Sequence, residues 1–267
     1  MVYFSYLDDS KDRGAHRVMV SAGFYATQPA WASFRTDWNK TLAKHNLNYF
    51  KSSECHSVSG EFAQFRAALG SYAKQDERDR ARKVRDELQL VLSQHPAIRG
   101  IGVAVQLEDY RRLASHPEAL NVLPRDPYKA ALSSVMFETV THMRKVSRNS
   151  VVSFVHDLGD DFEVLRGCYR AFRDMNRGTA RFMGGFSAMD DKTNPALQAA
   201  DLIANHTTFL MGKKLDSKNA LIEMGDNISR LGYWDEKYVA AILKNGLIKR
   251  GKPIPLDLDD IDTSNHL

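Results

Sequence analysis

Apolar and polar positions along this chain switch between a period of two and a period near 3.6, and the switches outline its elements. Residues 2–8, VYFSYLD, form an aromatic and apolar run closing on an acid, as a strand does. His16 to Ala26 is a second apolar run, in which Gly23 argues against helix. Pro29 suits a first helical turn, and Trp31, Phe34, Trp38 and Leu42 follow three and four residues apart on one face. That aromatic stripe reads as core rather than as a platform for stacking bases. Residues 48–51 read as a short strand leading into the polar segment Ser52-Ser53-Glu54-Cys55-His56-Ser57. From Glu61 to about Gln94 the pattern is helical, and its charged middle, KQDERDRARKVRDE, is a solvated face. Ile98 to Leu107 is a strand, and Pro127 opens a helix running through Lys145. Val151 to Val155 is the most β-forming run and ends in His156-Asp157. A helix from Phe162 to Met175, a strand from Arg181 to Met189 and a helix opened by Asn194-Pro195 complete the regular pattern.

Strands interleaved with helices predict an α/β fold, a central mixed β-sheet flanked by α-helices. The sequence has no internal repeat, low-complexity block or Gly/Ser/Pro linker before its end. The expected organisation is one domain over 1–212, a helical C-terminal extension of it over 213–252 and a loose acidic tail over 253–267. The aromatic residues Tyr233, Trp234 and Tyr238 leave a homodimer open but read better as the core face of a C-terminal helix.

Composition narrows the class. With 43% hydrophobic and 26% charged residues in 267, the chain reads as globular rather than disordered, collagen-like or a coiled-coil rod. Its best apolar run, Ile101 to Leu107, falls far short of the ~20 residues that cross a bilayer, and the N-terminus has no basic leader. A cytoplasmic protein without membrane attachment is the expectation. Cys55 and Cys168 form no CxxC pair, which disfavours a disulfide framework or a structural zinc and predicts reduced thiols. The net charge is +4, while the last fifteen residues hold Asp257, Asp259, Asp260 and Asp262 and no Lys or Arg. A basic body suits a polyanionic partner, although such an excess is also common in proteins without one.

The motifs GxxxxGK[ST], HExxH and GxSxG are absent, as is a GxGxxG following a strand, so a P-loop, Rossmann, zincin or α/β-hydrolase site is disfavoured. What stands out is carboxylates in costly places. Asp201 shares a helical side with Leu197, Ala200, Ala204 and Thr208, where it loses hydration unless a cation or donors compensate. A backbone partner at the edge of the stripe would serve as well. Gln198 projects alongside it, three residues earlier. Asp8 and Asp157 each close an apolar strand, where side chains gather at the carboxyl edge of an open sheet. Asp8-Asp9-Ser10 could equally make a polar turn. His156 alternates to the opposite face from Asp157, which assigns it to packing or solvent. Glu54 and His56 lie in a polar loop or strand end. Three or four carboxylates without cysteine suit Mg²⁺ or Mn²⁺ better than Zn²⁺, and two such ions about 4 Å apart can drive phosphodiester hydrolysis.

These residues resemble the pattern of domain-of-unknown-function family 3800, whose members look like RNase H-like proteins. The likeness rests on Leu7-Asp8-Asp9-Ser10 at a strand end, Glu54-Cys55-His56, the strand VVSFVHD ending in Asp157 and the helix motif Leu197-Gln198-Ala199-Ala200-Asp201, in that order over residues 1–212. Asp9 replaces the motif's Glu and Lys11 its usual Gly, so the resemblance carries Asp8 over more directly than Asp9. It implies an RNase H-like fold and a metal-dependent nuclease-like site. On that reading Asp8, Glu54, Asp157 and Asp201 ligate Mg²⁺ or Mn²⁺. Gln198 orients Asp201 or meets the scissile phosphate, and His56 serves as acid/base or substrate contact. Lys11, Arg13, Lys51 and Lys192 are candidate phosphate contacts on a DNA or RNA partner. Two other readings stand beside it: a catalytically silent nucleic-acid-binding or scaffold protein, and a metal-dependent nucleotide phosphohydrolase.

Overall fold

The computed structural model describes the chain except residues 12–16, 67–72, 160, 213–227, 251, 253, 255–257, 259 and 265–267. Six strands form one mixed sheet: β1 (Val2–Lys11), β2 (Val18–Thr27), β3 (Arg99–Gln106), β4 (Val151–Asp157), β5 (Met183–Met189) and β6 (Ile228–Trp234). Their order is β5-β4-β1-β2-β3-β6. β2 pairs antiparallel with β1 and β3, whereas β1–β4, β4–β5 and β3–β6 pair in parallel. β2 therefore runs against the other five, and the carboxyl ends of β1, β4 and β5 meet at one edge. Leu7 pairs with His156, which sets the acidic ends of β1 and β4 side by side. Gly23 sits opposite Leu7, and a Cβ there would lie 1.9 Å from the Tyr6 carbonyl oxygen. Only glycine lets β1 and β2 approach so closely beneath the strand end.

Helices cover both faces, because β1 and β2 alternate apolar side chains to both. Tyr6 faces a core shared with α1 (Gln28–Lys44), α2 (Ser52–Ser57), α3 (Ala73–Ser93) and, later in the chain, the helix Pro195–Gly212. Leu7 faces a second core with α4 (Leu107–Ala114), α5 (Pro127–Val146), α6 (Phe162–Met175) and the helix Glu236–Ile248. With the short α7 (Arg177–Ala180) counted, Pro195–Gly212 is α8 and Glu236–Ile248 is α9. The aromatic stripe of α1 is core as its spacing predicts: Trp31, Phe34, Trp38 and Leu42 are buried. Pro195 opens α8, and the Asn194 side chain accepts the Ala196 N–H at 3.1 Å. Buried Ala196, Ala199, Ala200 and Ala204 keep that helix slim where it lies on β1 and β2.

The structure departs from the sequence expectations at several elements: β1 runs on past Asp8 to Lys11, and the helical pattern from Glu61 is broken at Arg66, between a 3₁₀ helix over Gly60–Phe65 and α3. Ser52–Ser57 is a short helix rather than a polar loop, and residues 48–51 are not a strand. The C-terminal extension is not purely helical, since Ile228–Trp234 pairs with the open side of β3 before α9 begins. Tyr233 and Trp234 thus lie on a strand, with only Tyr238 on the helix. The tail is docked where it is described: Leu258 is buried in the second core, Ile254 and Ile261 pack against it, and Lys244 Nζ donates to the Ile261 carbonyl at 2.8 Å. Asp257 and Asp259 lie outside the described residues. Burial pushes the Cys55 thiol up to about 12, leaving it a packing residue. Among the described residues no helix is long and apolar enough to cross a membrane.

Candidate metal centre

Strand alternation divides the end of β1 between the two faces. Asp8 follows Tyr6 toward α8, and Asp9 follows Leu7 toward α5. The Asp9 N–H donates to Asp8 Oδ1 at 2.8 Å. On the α8 side, Asp201 Oδ2 accepts the Ser52 N–H at 2.5 Å and so caps the start of α2. Asp157 Oδ1 accepts the Asp191 N–H at 3.3 Å, and Asp191 in turn holds Lys51 at 2.6 Å. Asp191 stands in the turn that follows β5, so three strand ends deliver acids to this edge.

The acids press on one another. Burial, then Asp201, Asp9 and Asp157, raise the Asp8 carboxyl well above the usual range, against the pull of the Asp9 N–H. Burial raises Asp201 to about 6 even though the Ser52 N–H, the Ser52 hydroxyl and Lys51 hold it down. Burial and Asp191 raise Asp157, with Lys51 opposing. Negative charge at this edge exceeds what Lys51 offsets.

On the α5 side, Asp126 accepts the Tyr128 N–H at 2.9 Å and, with Pro127, fixes the start of α5. Tyr128 there donates its hydroxyl to Asp9 Oδ1 at 2.9 Å, and the Tyr128 hydroxyl oxygen lies 3.3 Å from His156 Nε2. His156 is only 3% exposed, and its burial lowers its pKa, opposed by Asp9 and the Asp157 carbonyl. The neutral ring donates from Nδ1 to the Asp157 carbonyl at 3.3 Å, which assigns the Nε2 lone pair to the side of Asp9, 3.9 Å away.

Asp8, Asp9 and His156 each offer a ligand atom, and the three atoms lie within 4.8 Å of one another. Two carboxylates and one imidazole, with spare negative charge and a ring nitrogen turned inward, are a donor set that a divalent ion fits. Mn²⁺ accepts both ligand types, Mg²⁺ prefers oxygen alone, and the imidazole readmits Zn²⁺, which an all-oxygen set disfavours.

The structure redistributes the roles that the sequence suggests. Asp8 stays at the centre, with Asp157 and Asp201 beside it but outside the converging trio. Glu54 turns away: its carboxylate accepts from the Tyr49 hydroxyl at 3.1 Å and the Glu61 N–H at 3.0 Å. It folds over Gly60, whose φ of 51° and lack of a Cβ the turn requires. Glu54→Gln is accordingly expected to cost about 1 kcal/mol of stability in urea unfolding while changing divalent-ion affinity less than about twofold by calorimetry. His56 is exposed on α2 and does not join the trio. Gln198 is 1% exposed, with its amide oxygen taken by Trp38 Nε1 (2.8 Å) and the Phe50 N–H (3.1 Å). Its nitrogen donates to the carbonyls of Asp191 (2.9 Å) and Lys192 (3.3 Å). It therefore neither orients Asp201 nor reaches a phosphate, but ties together the segments carrying Lys51 and Asp191. Lys51 is engaged by Asp191, Lys192 lies 5.4 Å over the Tyr49 ring, Lys11 is exposed at the end of β1, and Arg13 lies outside the described residues.

His156, Tyr128 and Asp191 come from the structure. Asp190-Asp191 closes a strand, the same signal that singles out Asp8 and Asp157; nothing in the sequence points to Tyr128.

Neutralising Asp201 separates its structural part from its charge. A carboxyl raised on folding binds its proton more tightly in the folded state, so its stabilising contribution is present at low pH and lost as pH rises from about 4 to about 6. Asp201→Asn keeps an acceptor for Ser52 and removes the charge. It is expected to raise stability at pH 7 in EDTA by about 1 kcal/mol and to leave stability unchanged at pH 4, as read by thermal unfolding.

No known family model matches the chain, and no curated protein matches it either.

Proposed function

We propose that this protein is a divalent-metal-dependent nuclease, hydrolysing phosphodiester bonds of a nucleic acid at the edge where β1 and β4 end. The observation that carries this reading is the convergence of Asp8, Asp9 and His156 within 4.8 Å, beside Asp157 and Asp201. A mixed sheet covered by helices on both faces, with acids delivered by two adjacent parallel strands, supports the RNase H-like form of the proposal. A divalent ion held by Asp8, Asp9 and His156 would supply Lewis acidity toward the phosphodiester and the attacking water. Asp8 and Asp9 provide the anionic ligands, and the backbone bond from Asp9 to Asp8 fixes their relative placement. Tyr128 holds Asp9 in position and His156 offers its Nε2 lone pair. Asp157 and Asp201, next to Asp8, are acceptors for a proton released by the attacking water. Lys51 keeps the assembly from carrying its full negative charge.

Calorimetric titration with Mn²⁺, Mg²⁺ and Zn²⁺, alongside a cleavage assay on labelled single- and double-stranded DNA and RNA, tests the proposal. Mn²⁺ binding with ion-dependent cleavage is the expected result. Binding without cleavage of any of the four would replace the nuclease by a silent binder, and no binding to the folded protein would remove the metal centre.

A further inference from the structure

At the opposite end of β4 from the carboxylates lies an open cleft of about 960 Å³. Arg144 and Lys145 reach it from the last turn of α5, Arg148 from the following loop and Arg181 from the segment that enters β5. None of the residues lining it is acidic, and among the described residues none of these four cations lies within 4 Å of a carboxylate; Lys145 also acts on the Glu138 carboxylate, which Arg230 pairs at 2.8 Å. Basic side chains at a helix C-terminus are ordinarily a response to the helix dipole. That accounts for Arg144 and Lys145 but not for Arg148, beyond the helix, nor for Arg181, from a different part of the chain.

Phe182 organises the cleft. The Arg144 guanidinium carbon lies 4.1 Å from its ring centroid and that of Arg181 4.7 Å. Stacking on an aromatic ring restrains a guanidinium while leaving the N–H groups at its rim free to donate. Two such guanidiniums on one ring, with Arg148 and Lys145 beside them, give a partly ordered set of donors. The like charges repel one another, and an anion removes that cost. Planar paired donors match the oxygens of a phosphate.

We infer that this cleft is a binding site for consecutive phosphate groups, presented by a nucleic-acid strand or by a free polyphosphate. It goes beyond the nuclease reading and does not depend on it: phosphate recognition here requires neither an ion nor turnover. β4 spans about 20 Å between the two ends, at roughly 3.3 Å per residue, so the cleft and the carboxylates are separate sites.

The test uses the full chain in EDTA, so that no ion contributes. A fluorescein-labelled 15-nucleotide single strand is followed by anisotropy, with inorganic triphosphate as competitor. The combined variant Arg144→Gln/Arg148→Gln/Arg181→Gln is expected to weaken strand binding at least ~10-fold. It should also flatten the plot of log affinity against log salt by about 2, near 0.7 for each lost contact. Arg148→Gln alone, at an exposed position, should weaken binding about threefold and carries the test if the combined variant does not fold. Displacement of the strand by triphosphate assigns the site to phosphate groups as such, and resistance to displacement assigns it to a strand; either supports the inference. Undiminished binding by the folded variants, or no binding of either probe by the wild type, overturns it. A wild type that binds through the cleft yet never cleaves would end the nuclease proposal and leave the cleft standing.

Discussion

Asp8→Asn is expected to abolish calorimetrically detectable Mn²⁺ binding and to lower ion-dependent cleavage at least ~10³-fold, about 4 kcal/mol of transition-state stabilisation. The expectation rests on position. Asp8 stands between the two halves of the edge, bonded to the Asp9 N–H and pressed by Asp201, Asp9 and Asp157. Asn has one acceptor oxygen and no charge, so it keeps the backbone bond while removing the anionic ligand. Asp9→Asn should follow the same course. Tyr128→Phe, which frees Asp9 from its hydroxyl partner without touching the ligand set, should cost about tenfold in ion affinity. If Asp8→Asn bound Mn²⁺ as the wild type does, the trio would not be the metal centre. If binding vanished while cleavage persisted, the chemistry would lie elsewhere.

Gln198→Leu should produce the largest loss of stability, about 3 kcal/mol by urea unfolding, with little direct change in charge at the site. The amide closes four hydrogen bonds inside the protein. Leucine fills similar volume but leaves the Trp38 indole N–H and the Phe50 N–H, both buried, without their acceptor, each at about 1–3 kcal/mol. Gln198→Glu keeps an acceptor for those two donors but loses both donations to the 191–192 carbonyls, and should fall between wild type and leucine. A loss below ~1 kcal/mol for Gln198→Leu would mean that the amide does not clamp the two segments.

Much of this architecture is legible from periodicity. The apolar runs that close on Asp8 and Asp157 become adjacent parallel strands, and the stripe of α1 is buried as its spacing requires. Asp201 is conspicuous because a carboxylate among alanines must answer to something, and it answers both to the start of α2 and to Asp8. Alternation also misleads. His156 points away from Asp157, and a reading that confines the site to one face discards it, along with the part played by Asp9. The β1–β4 pairing stops at Leu7 and His156 while β1 runs on beside β2 to Lys11, so at this seam the two faces are no longer separated and residues of opposite parity can meet. Glu54 shows the converse failure: a carboxylate in a suggestive segment is absorbed by Gly60, whose positive φ has no signature beyond the glycine itself. The strand Ile228–Trp234 escapes notice because it completes a sheet edge contributed some 120 residues earlier, which no local pattern encodes.

Because Asp8 belongs to the layer built on α8 and Asp9 to the layer built on α5, an ion held by both would be a rivet through the sheet where β1 parts from β4. The strands of the sheet lie between the two cores. Ion occupancy would then govern not just chemistry but cooperativity. With the ion in place the layers should open together in native-state hydrogen exchange, and in EDTA the amides of α5 and α8 should part company, each reporting the melting of its own side.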